Sequence, residues 1–314
     1  MQLIVAGGTG FLGRHVVSEL AGRGHRVVVL SRRAGTGSTS ANVDGVACDV
    51  GGGELPLDRI RGSDAIVNLV GIKRETDSQT FARVHVDATR HLIAAARETG
   101  IRRMIHISVV AARPDETHAY HDTKWQAEEL VRESGLDFTI LKPGVIYGPG
   151  DDMITHLVKM IRFCPLFPVV GRGRSLLQPV SGVDVARVVA AAVENQAAIG
   201  KTYEVVGPEP MALSEVIRTV ADGAGLNVWV VPTPIWFQRF GVWMMNKLFS
   251  NPLSTPPQLQ MLIDGLAGDP VPVAQELGIE PAPFTPEVIA AVEAGIPSLF
   301  GFSLRFLRGS GYRR

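Results

Sequence analysis

A glycine-punctuated turn between an apolar run and a helix-forming stretch constrains this chain more than any other feature. Leu3-Ile4-Val5-Ala6 reads as a buried strand, Gly7-Gly8-Thr9-Gly10-Phe11-Leu12-Gly13 as a turn, and Arg14-His15-Val16-Val17-Ser18-Glu19-Leu20 as the helix it opens into. Gly8, Gly10 and Gly13 fit G-x-G-x-x-G, and Gly7, Gly10 and Gly13 also fit G-x-x-G-x-x-G. Either spacing builds one site. The missing Cβ atoms let a pyrophosphate approach the backbone, while the helix N-terminus supplies free N–H groups and positive potential. The spacing predicts that a dinucleotide binds here, held by residues 7–13 with Arg14 in the first helical turn.

Strand and helix patterns then alternate. His25-Arg26-Val27-Val28-Val29-Leu30, Val46-Ala47-Cys48, Ala65-Ile66-Val67-Asn68-Leu69-Val70, Met104-Ile105-His106-Ile107 and Phe138-Thr139-Ile140-Leu141 are continuous rather than alternating, as expected of parallel strands covered on both faces. Helical periodicity separates them, most clearly over residues 79–98 and 119–134. The expectation is an α/β fold: a doubly wound parallel Rossmann sheet with a smaller, mainly helical C-terminal lobe. The nucleotide-binding domain is placed at residues 1–150, with returning strands within about 175–206 around a helix at 183–194. Residues 151–174 and 207–314 then form the substrate or partner lobe and the C-terminal tail. A late helix is punctuated by Thr285 as N-cap, Pro286 at its first position and Gly295 at its end.

Composition narrows the function classes. Lysine plus arginine and aspartate plus glutamate both number 31, so no net field recruits nucleic acid. Cys48 and Cys164 stand far apart without C-x-x-C spacing, which argues against a disulfide framework or structural zinc and for a reducing compartment. The chain opens directly on a strand, and no run of about 18 uninterrupted apolar residues offers a membrane span. The expected location is cytoplasmic.

The end of the second strand bears on cofactor choice. An acid there would bind a ribose 2′-hydroxyl, but the residues are Ser31-Arg32-Arg33, which suit a 2′-phosphate and favour NADP(H) over NAD(H). Arg14 is expected to reach the same region. Asp49, next to Val50, is placed to meet the adenine, and Leu69-Val70-Gly71 to pass under the ribose and nicotinamide; either stretch also reads as ordinary strand-end backbone.

The candidate chemistry lies in Ser108, Tyr120 and Lys124. Ser108 ends the fifth strand, and four-residue spacing puts Tyr120 and Lys124 on one face of the next helix. An ammonium near a phenol favours phenolate, and the Ser108 hydroxyl can hold a substrate carbonyl while Tyr120 exchanges the proton that accompanies hydride transfer. The competing reading is a surface helix on which Lys124 pairs with Glu128. His118-x-x-His121 beside Asp122 lacks a further ligand cluster and reads as exposed helical histidines, so no metal site is expected. Asp151-Asp152 reads as a helix start.

Taken as an ordered set, Gly7 to Gly13, Arg32, Ser108, Tyr120-x-x-x-Lys124, Lys142-Pro143-Gly144-Val145-Ile146-Tyr147-Gly148-Pro149-Gly150 and Gln178-Pro179-Val180-Ser181-Gly182-Val183-Asp184-Val185-Ala186 resemble an atypical short-chain dehydrogenase/reductase of the epimerase/dehydratase type. The nearest likeness is to the branch containing the nucleotide-binding accessory subunit of respiratory complex I and its bacterial relatives. The resemblance implies a Rossmann domain, tightly held NADP(H) also touched by Pro143, Gly144, Val145 and Ile146, and a small C-terminal lobe. His85 departs from it, because extended members often carry Asn in that helix. Two functions follow: an NADPH-dependent oxidoreductase on a carbonyl or hydroxyl substrate, or a catalytically silent accessory or assembly subunit of a membrane respiratory complex. The partners are then the dinucleotide and either a small-molecule substrate or a protein complex.

Residues 235–249 carry Phe237, Phe240, Met244, Met245, Leu248 and Phe249 opposite Arg239, Asn246 and Lys247, and residues 300–314 mix four arginines with apolar residues. Both stretches suit peripheral contact with a membrane or hydrophobic partner, at the inner membrane in the complex I reading, or else a core helix and a frayed terminus.

Overall fold

The continuous apolar runs pair side by side. In the computed structural model, which describes residues 1–33, 35, 40–151, 153–170, 173–234, 236 and 265–294, the strands in chain order begin with β1 (Gln2–Ala6), β2 (Arg26–Ser31), β3 (Val43–Ala47), β4 (Ala65–Asn68), β5 (Arg103–Ile107) and β6 (Asp137–Pro143). They continue with β7 (Ile146–Tyr147), β8 (Leu166–Val170), β9 (Leu176–Leu177), β10 (Val180–Ser181), β11 (Lys201–Val205), β12 (Met211–Ala212) and β13 (Trp229–Thr233). The helices are α1 (Phe11–Gly22), α2 (Leu57–Ile60), α3 (Ala88–Thr99), α4 (Ala119–Arg132), α5 (Met153–Phe163), α6 (Gly182–Glu194), α7 (Leu213–Gly223), α8 (Val271–Leu277) and α9 (Pro286–Ala294).

Seven strands form one parallel sheet in the order β11-β6-β5-β4-β1-β2-β3. The order reverses between β1 and β4, and that switch point opens a crevice at the carboxyl ends of the strands. One face packs Val16, Val17 and Leu20 of α1 and Val185, Val188 and Val189 of α6 against Leu3, Val5, Val27 and Val29. The other packs Leu92, Ala95 and Ala96 of α3 and Val131 of α4 against Ile4, Ile66, Met104 and Ile140. Burial on both faces is why these strands carry no polar alternation.

A separate core joins Ile154, Val158 and Ile161 of α5, Val216, Ile217 and Val220 of α7, and Phe284, Ile289 and Val292. Three two-stranded ribbons accompany it, β7 with β10, β8 with β13, and β9 with β12. The strand expected within residues 175–179 does not return to the main sheet: β9 pairs antiparallel with β12, and the chain reaches the sheet again at β11. Asp151 precedes α5 and accepts the Ile154 N–H at 2.7 Å, so it acts as the cap of that helix. Asp152, Gly295, residues 300–314 and, apart from Trp236, residues 235–249 lie outside the described residues. Among the described residues no helix is long and apolar enough to cross a membrane.

Candidate functional site

The glycine turn closes on itself at the switch point. Gly7 has φ +84°, and a Cβ there would sit 3.1 Å from the Leu69 carbonyl. At Gly13 a Cβ would lie 2.3 Å from the Gly7 carbonyl oxygen, so α1 can approach the turn only without a side chain. Gly10 N-caps α1, no side chain caps that helix, and its first turn holds no acid. The first-turn N–H groups therefore face the crevice with positive potential, an arrangement that fits a pyrophosphate.

At the end of β2 the Ser31 hydroxyl donates to the Arg33 carbonyl and folds the loop back. Arg32 and Arg33 are exposed there, and with Thr9 and Gly35 they line a groove of about 620 Å³. Arg14 extends toward Gly150, where an added Cβ would be 3.0 Å from its Nη2. Asp49 N-caps the short turn Val50–Gly52 by accepting the Gly51 N–H at 3.2 Å, and it also accepts from Arg83 Nη2 at 2.8 Å. Its carboxylate is thus already held before any adenine contact is considered.

Tyr120 and Lys124 are both buried, so the surface-helix reading of this pair does not hold. Tyr120 packs its ring against Phe81 and His85, each with centroids 5.5 Å away. Burial pushes its phenol up to about 12. Lys124 donates from Nζ to the Ile107 carbonyl at 2.7 Å, and burial lowers it to about 8 against the opposing pull of Glu128. The expected lowering of the phenol by the ammonium is therefore outweighed: desolvation dominates Tyr120, which stays protonated at neutral pH.

Ser108 donates to Glu128 Oε1 at 2.5 Å. Glu128, buried one helical turn beyond Lys124, also receives Arg132 Nη2 at 2.8 Å and lies 3.2 Å from Lys142 Nζ. Residue-type reasoning found Glu128 only as a surface partner, because a glutamate on a helix is ordinarily exposed.

The helix expected over residues 79–98 is two pieces. A π-helical turn, Ala82–Asp87, precedes α3, and its wide register turns His85 inward. Thr123 Oγ1 donates to the Ala119 carbonyl at 2.6 Å, so at 3.0 Å it accepts the proton of His85 Nδ1. His85 Nε2 is left to accept the Ile72 N–H at 3.3 Å. Burial, then the charge of Lys124, hold this imidazole well below its usual range, in keeping with the neutral tautomer. Asn68, the last residue of β4, accepts the Val70 N–H at 3.1 Å and donates to Thr89 Oγ1 and His106 Nδ1, each at 3.1 Å. Together His85 and Asn68 fix the Leu69-Val70-Gly71 segment from below.

Pro143 ends β6, and the residues after it are stitched to the sheet's end: Gly144 donates to the Val205 carbonyl at 3.1 Å, the Val145 carbonyl accepts from Val180, and Ile146 pairs with Val180. His121, expected to be exposed, is buried against Tyr120, while His118 lies 3.0 Å from Asp115 at the start of α4.

Residues 3–206 match the family model described as the NAD dependent epimerase/dehydratase family. A curated relative, the mitochondrial NADH dehydrogenase [ubiquinone] 1 alpha subcomplex subunit 9 of Rattus norvegicus, is 27% identical over 292 residues, covering 89% of this chain and 76% of its own. The ceramide reductase of Caulobacter vibrioides is 34% identical over 171 residues, 54% of this chain and 53% of that protein. Among solved structures, UDP-glucuronic acid 4-epimerase from Bacillus cereus in complex with UDP-glucuronic acid and NAD superposes with a TM-score of 0.72 at 17% identity, covering 94% of this chain and 99% of that one. At that identity the likeness speaks for the fold.

Proposed function

The chain belongs to the NAD-dependent epimerase/dehydratase family, and from that premise we propose that it binds NADP(H) and acts as an oxidoreductase on a carbonyl or hydroxyl substrate. The observation that carries this reading is the buried Tyr120–Lys124 pair, whose phenol is held protonated by burial. When bound, NADPH supplies the hydride. Tyr120 then gives its proton to the alkoxide that develops on the substrate carbonyl, and Lys124, set on the same inner face of α4, holds the nicotinamide ribose and re-charges the phenol. To position the substrate carbonyl oxygen beside Tyr120, the Ser108 hydroxyl turns to it from Glu128. Gly7, Gly8, Thr9, Gly10, Phe11, Leu12 and Gly13 hold the pyrophosphate, Arg32 and Arg33 the 2′-phosphate, Asp49 and Val50 the adenine side, and Leu69, Val70, Gly71 and residues 143–146 the ribose and nicotinamide. Residues 1–150 carry this work, and the lobe of residues 151–174 and 207–314 selects the substrate or partner. The ceramide reductase similarity supports a reducing activity.

A second reading is favoured by the Ser108–Glu128 bond, which occupies the hydroxyl a substrate would need, and by the likeness to a subunit of NADH dehydrogenase over most of the chain. In it the protein is a silent, NADPH-stabilised accessory or assembly subunit, peripheral to a membrane. Single-turnover oxidation of bound NADPH across a carbonyl panel, run beside thermal shift, separates the two. The enzyme oxidises NADPH and loses this on Tyr120→Phe; the accessory subunit is silent as wild type while NADPH still raises its Tm. No Tm response to NADPH or NADH would remove both.

A further inference from the structure

The groove that holds Arg32 and Arg33 has a carboxylate at its edge. From Ser31 to Val43 the sequence carries no acid, yet β3 lies beside β2, Ala47 pairs with Ser31, and the Cys48 N–H donates to the Ser31 carbonyl at 2.7 Å. Asp49 follows directly. It leaves the sheet one strand over, a spacing of about 4.8 Å, from the strand end that carries Arg32 and Arg33. Left alone, its charge would oppose a phosphate dianion held there, because the separation is on the scale of the roughly 8 Å over which physiological salt screens exposed charges.

The carboxylate is not left alone. Arg83 reaches it from the π-helical turn Ala82–Asp87, and Nη2 donates to Asp49 Oδ2 at 2.8 Å while the Gly51 N–H donates to Oδ1 at 3.2 Å. The path of the arginine is built into the turn it crosses. A Cβ on Gly51 would lie 3.1 Å from both Arg83 Cγ and the Arg83 carbonyl oxygen, so the stem passes where the turn has no side chain. Arg83 Nε is enclosed without a hydrogen-bond partner among the described residues, so packing over Gly51 aims the guanidinium. Both sides of the contact are pinned: the Arg83 N–H donates to Thr80 Oγ1 at 3.2 Å, and His91 Nδ1 donates to the Val50 carbonyl at 2.8 Å. The two side chains are 40% and 38% exposed, and an ion pair so exposed adds little to stability. Its effect is on the local field.

We propose that Arg83 sets the preference for NADP(H) without touching the 2′-phosphate, by cancelling the Asp49 charge beside the phosphate position of Arg32 and Arg33. Asp49 then serves the adenine side without repelling a phosphate dianion. Arg83 is in this sense a positioning residue that acts through Asp49. The inference rests on the nucleotide reading above and fails separately from it, because it concerns the ratio of two affinities and that reading concerns binding itself.

The experiment is calorimetric titration of the full chain with NADPH and with NADH. The two differ only in the 2′-phosphate, so effects on the adenine side, the ribose or the fold cancel in the ratio of their dissociation constants. Arg83→Gln removes the charge and should cut the preference for NADPH by about threefold to tenfold, the scale of one screened charge acting on a dianion. The cut should shrink at high salt. Arg83→Lys keeps the charge and should hold the preference near that of wild type. Asp49→Asn alone should not turn the ratio against NADPH, and added to Arg83→Gln it should restore the wild-type preference even where both affinities are lower. An unchanged preference in Arg83→Gln would overturn the proposal and leave Arg83 as a pin of the turn. A lost preference that Asp49→Asn fails to restore would also overturn it, by showing that Arg83 meets the phosphate itself. Wild type that binds NADH as well as NADPH would remove the preference to be explained, and wild type that binds neither would remove the nucleotide reading with it.

Discussion

The hydroxyl of Ser108 and the carboxylate of Glu128 meet at 2.5 Å in a volume closed to solvent. Because the Glu128 carboxylate also takes Arg132 and Lys142, it is the acceptor of this bond, and in the absence of substrate the Ser108 proton is directed to it. A hydrogen bond to a buried charge is worth about 1.5–3 kcal/mol, so Ser108→Ala and Glu128→Gln should each lower stability by at least about 1.5 kcal/mol. In a double-mutant cycle by urea unfolding the pair should be strongly sub-additive. Additive losses would mean that the two side chains do not share this bond.

The sheet was legible in the sequence for a physical reason. Strands buried on both faces, such as β2 and β5, cannot tolerate polar alternation, and the glycine turn needs backbone contact that only Gly13 allows. What escaped was everything decided by burial of polar groups. The spacing of Tyr120, Lys124 and Glu128 was plain, but whether that face looks inward depends on packing against Phe81 and His85, the latter contributed by a π-helical turn that apolar periodicity cannot distinguish from an α-helix. Asn68 was read as strand, and its three hydrogen bonds arise only once β4 lies between β1 and β5. The stretch at residues 175–179 looked like one strand, but β9 ends at Leu177 and pairs with a ribbon outside the main sheet.

Arg32 stands exposed on the groove it shares with Thr9 and Arg33, with no acid at Ser31 to receive a ribose hydroxyl. Arg32→Glu should weaken NADPH binding tenfold to a hundredfold, on the order of one charge-assisted contact. NADH binding should change little. Calorimetric titration of both proteins with both nucleotides checks this, and equal wild-type affinities for NADH and NADPH would remove the assigned role.

Lys124 and Tyr120 titrate in opposite senses. Burial lowers Lys124 from 10.5 to about 8, so between these values the unfolded chain binds more protons and stability rises with pH. Tyr120 is raised from 10.0 to about 12, so across that window the folded chain retains a proton the unfolded chain has released, and stability falls. Lys124→Met should abolish the gain between about pH 8 and 10 and leave the later loss, as read by chemical unfolding across pH. It should also weaken NADPH binding at neutral pH. A pH profile that matches wild type would place the ammonium in water rather than against the Ile107 carbonyl.

His85 joins the helix that carries Tyr120 to the segment expected beneath the nicotinamide, donating to Thr123 and accepting from Ile72. Its folded pKa lies well below 6.5 because of burial and the charge of Lys124, so its contribution to stability is present above about pH 6.5 and is lost as pH falls. His85→Asn should therefore reduce the acid sensitivity of the fold without removing it, since His106, buried beside it, is depressed for the same reason. Asparagine can still donate and accept, but its shorter side chain reaches both partners less well. His85→Leu removes both bonds and should expose the difference between structure and function. The Ile72 amide should lose its protection in hydrogen exchange, and NADPH binding should weaken more than in His85→Asn, because residues 69–71 lose their lower support. Full Ile72 protection in His85→Leu would show that this segment is held by the backbone alone and would leave His85 no positioning role.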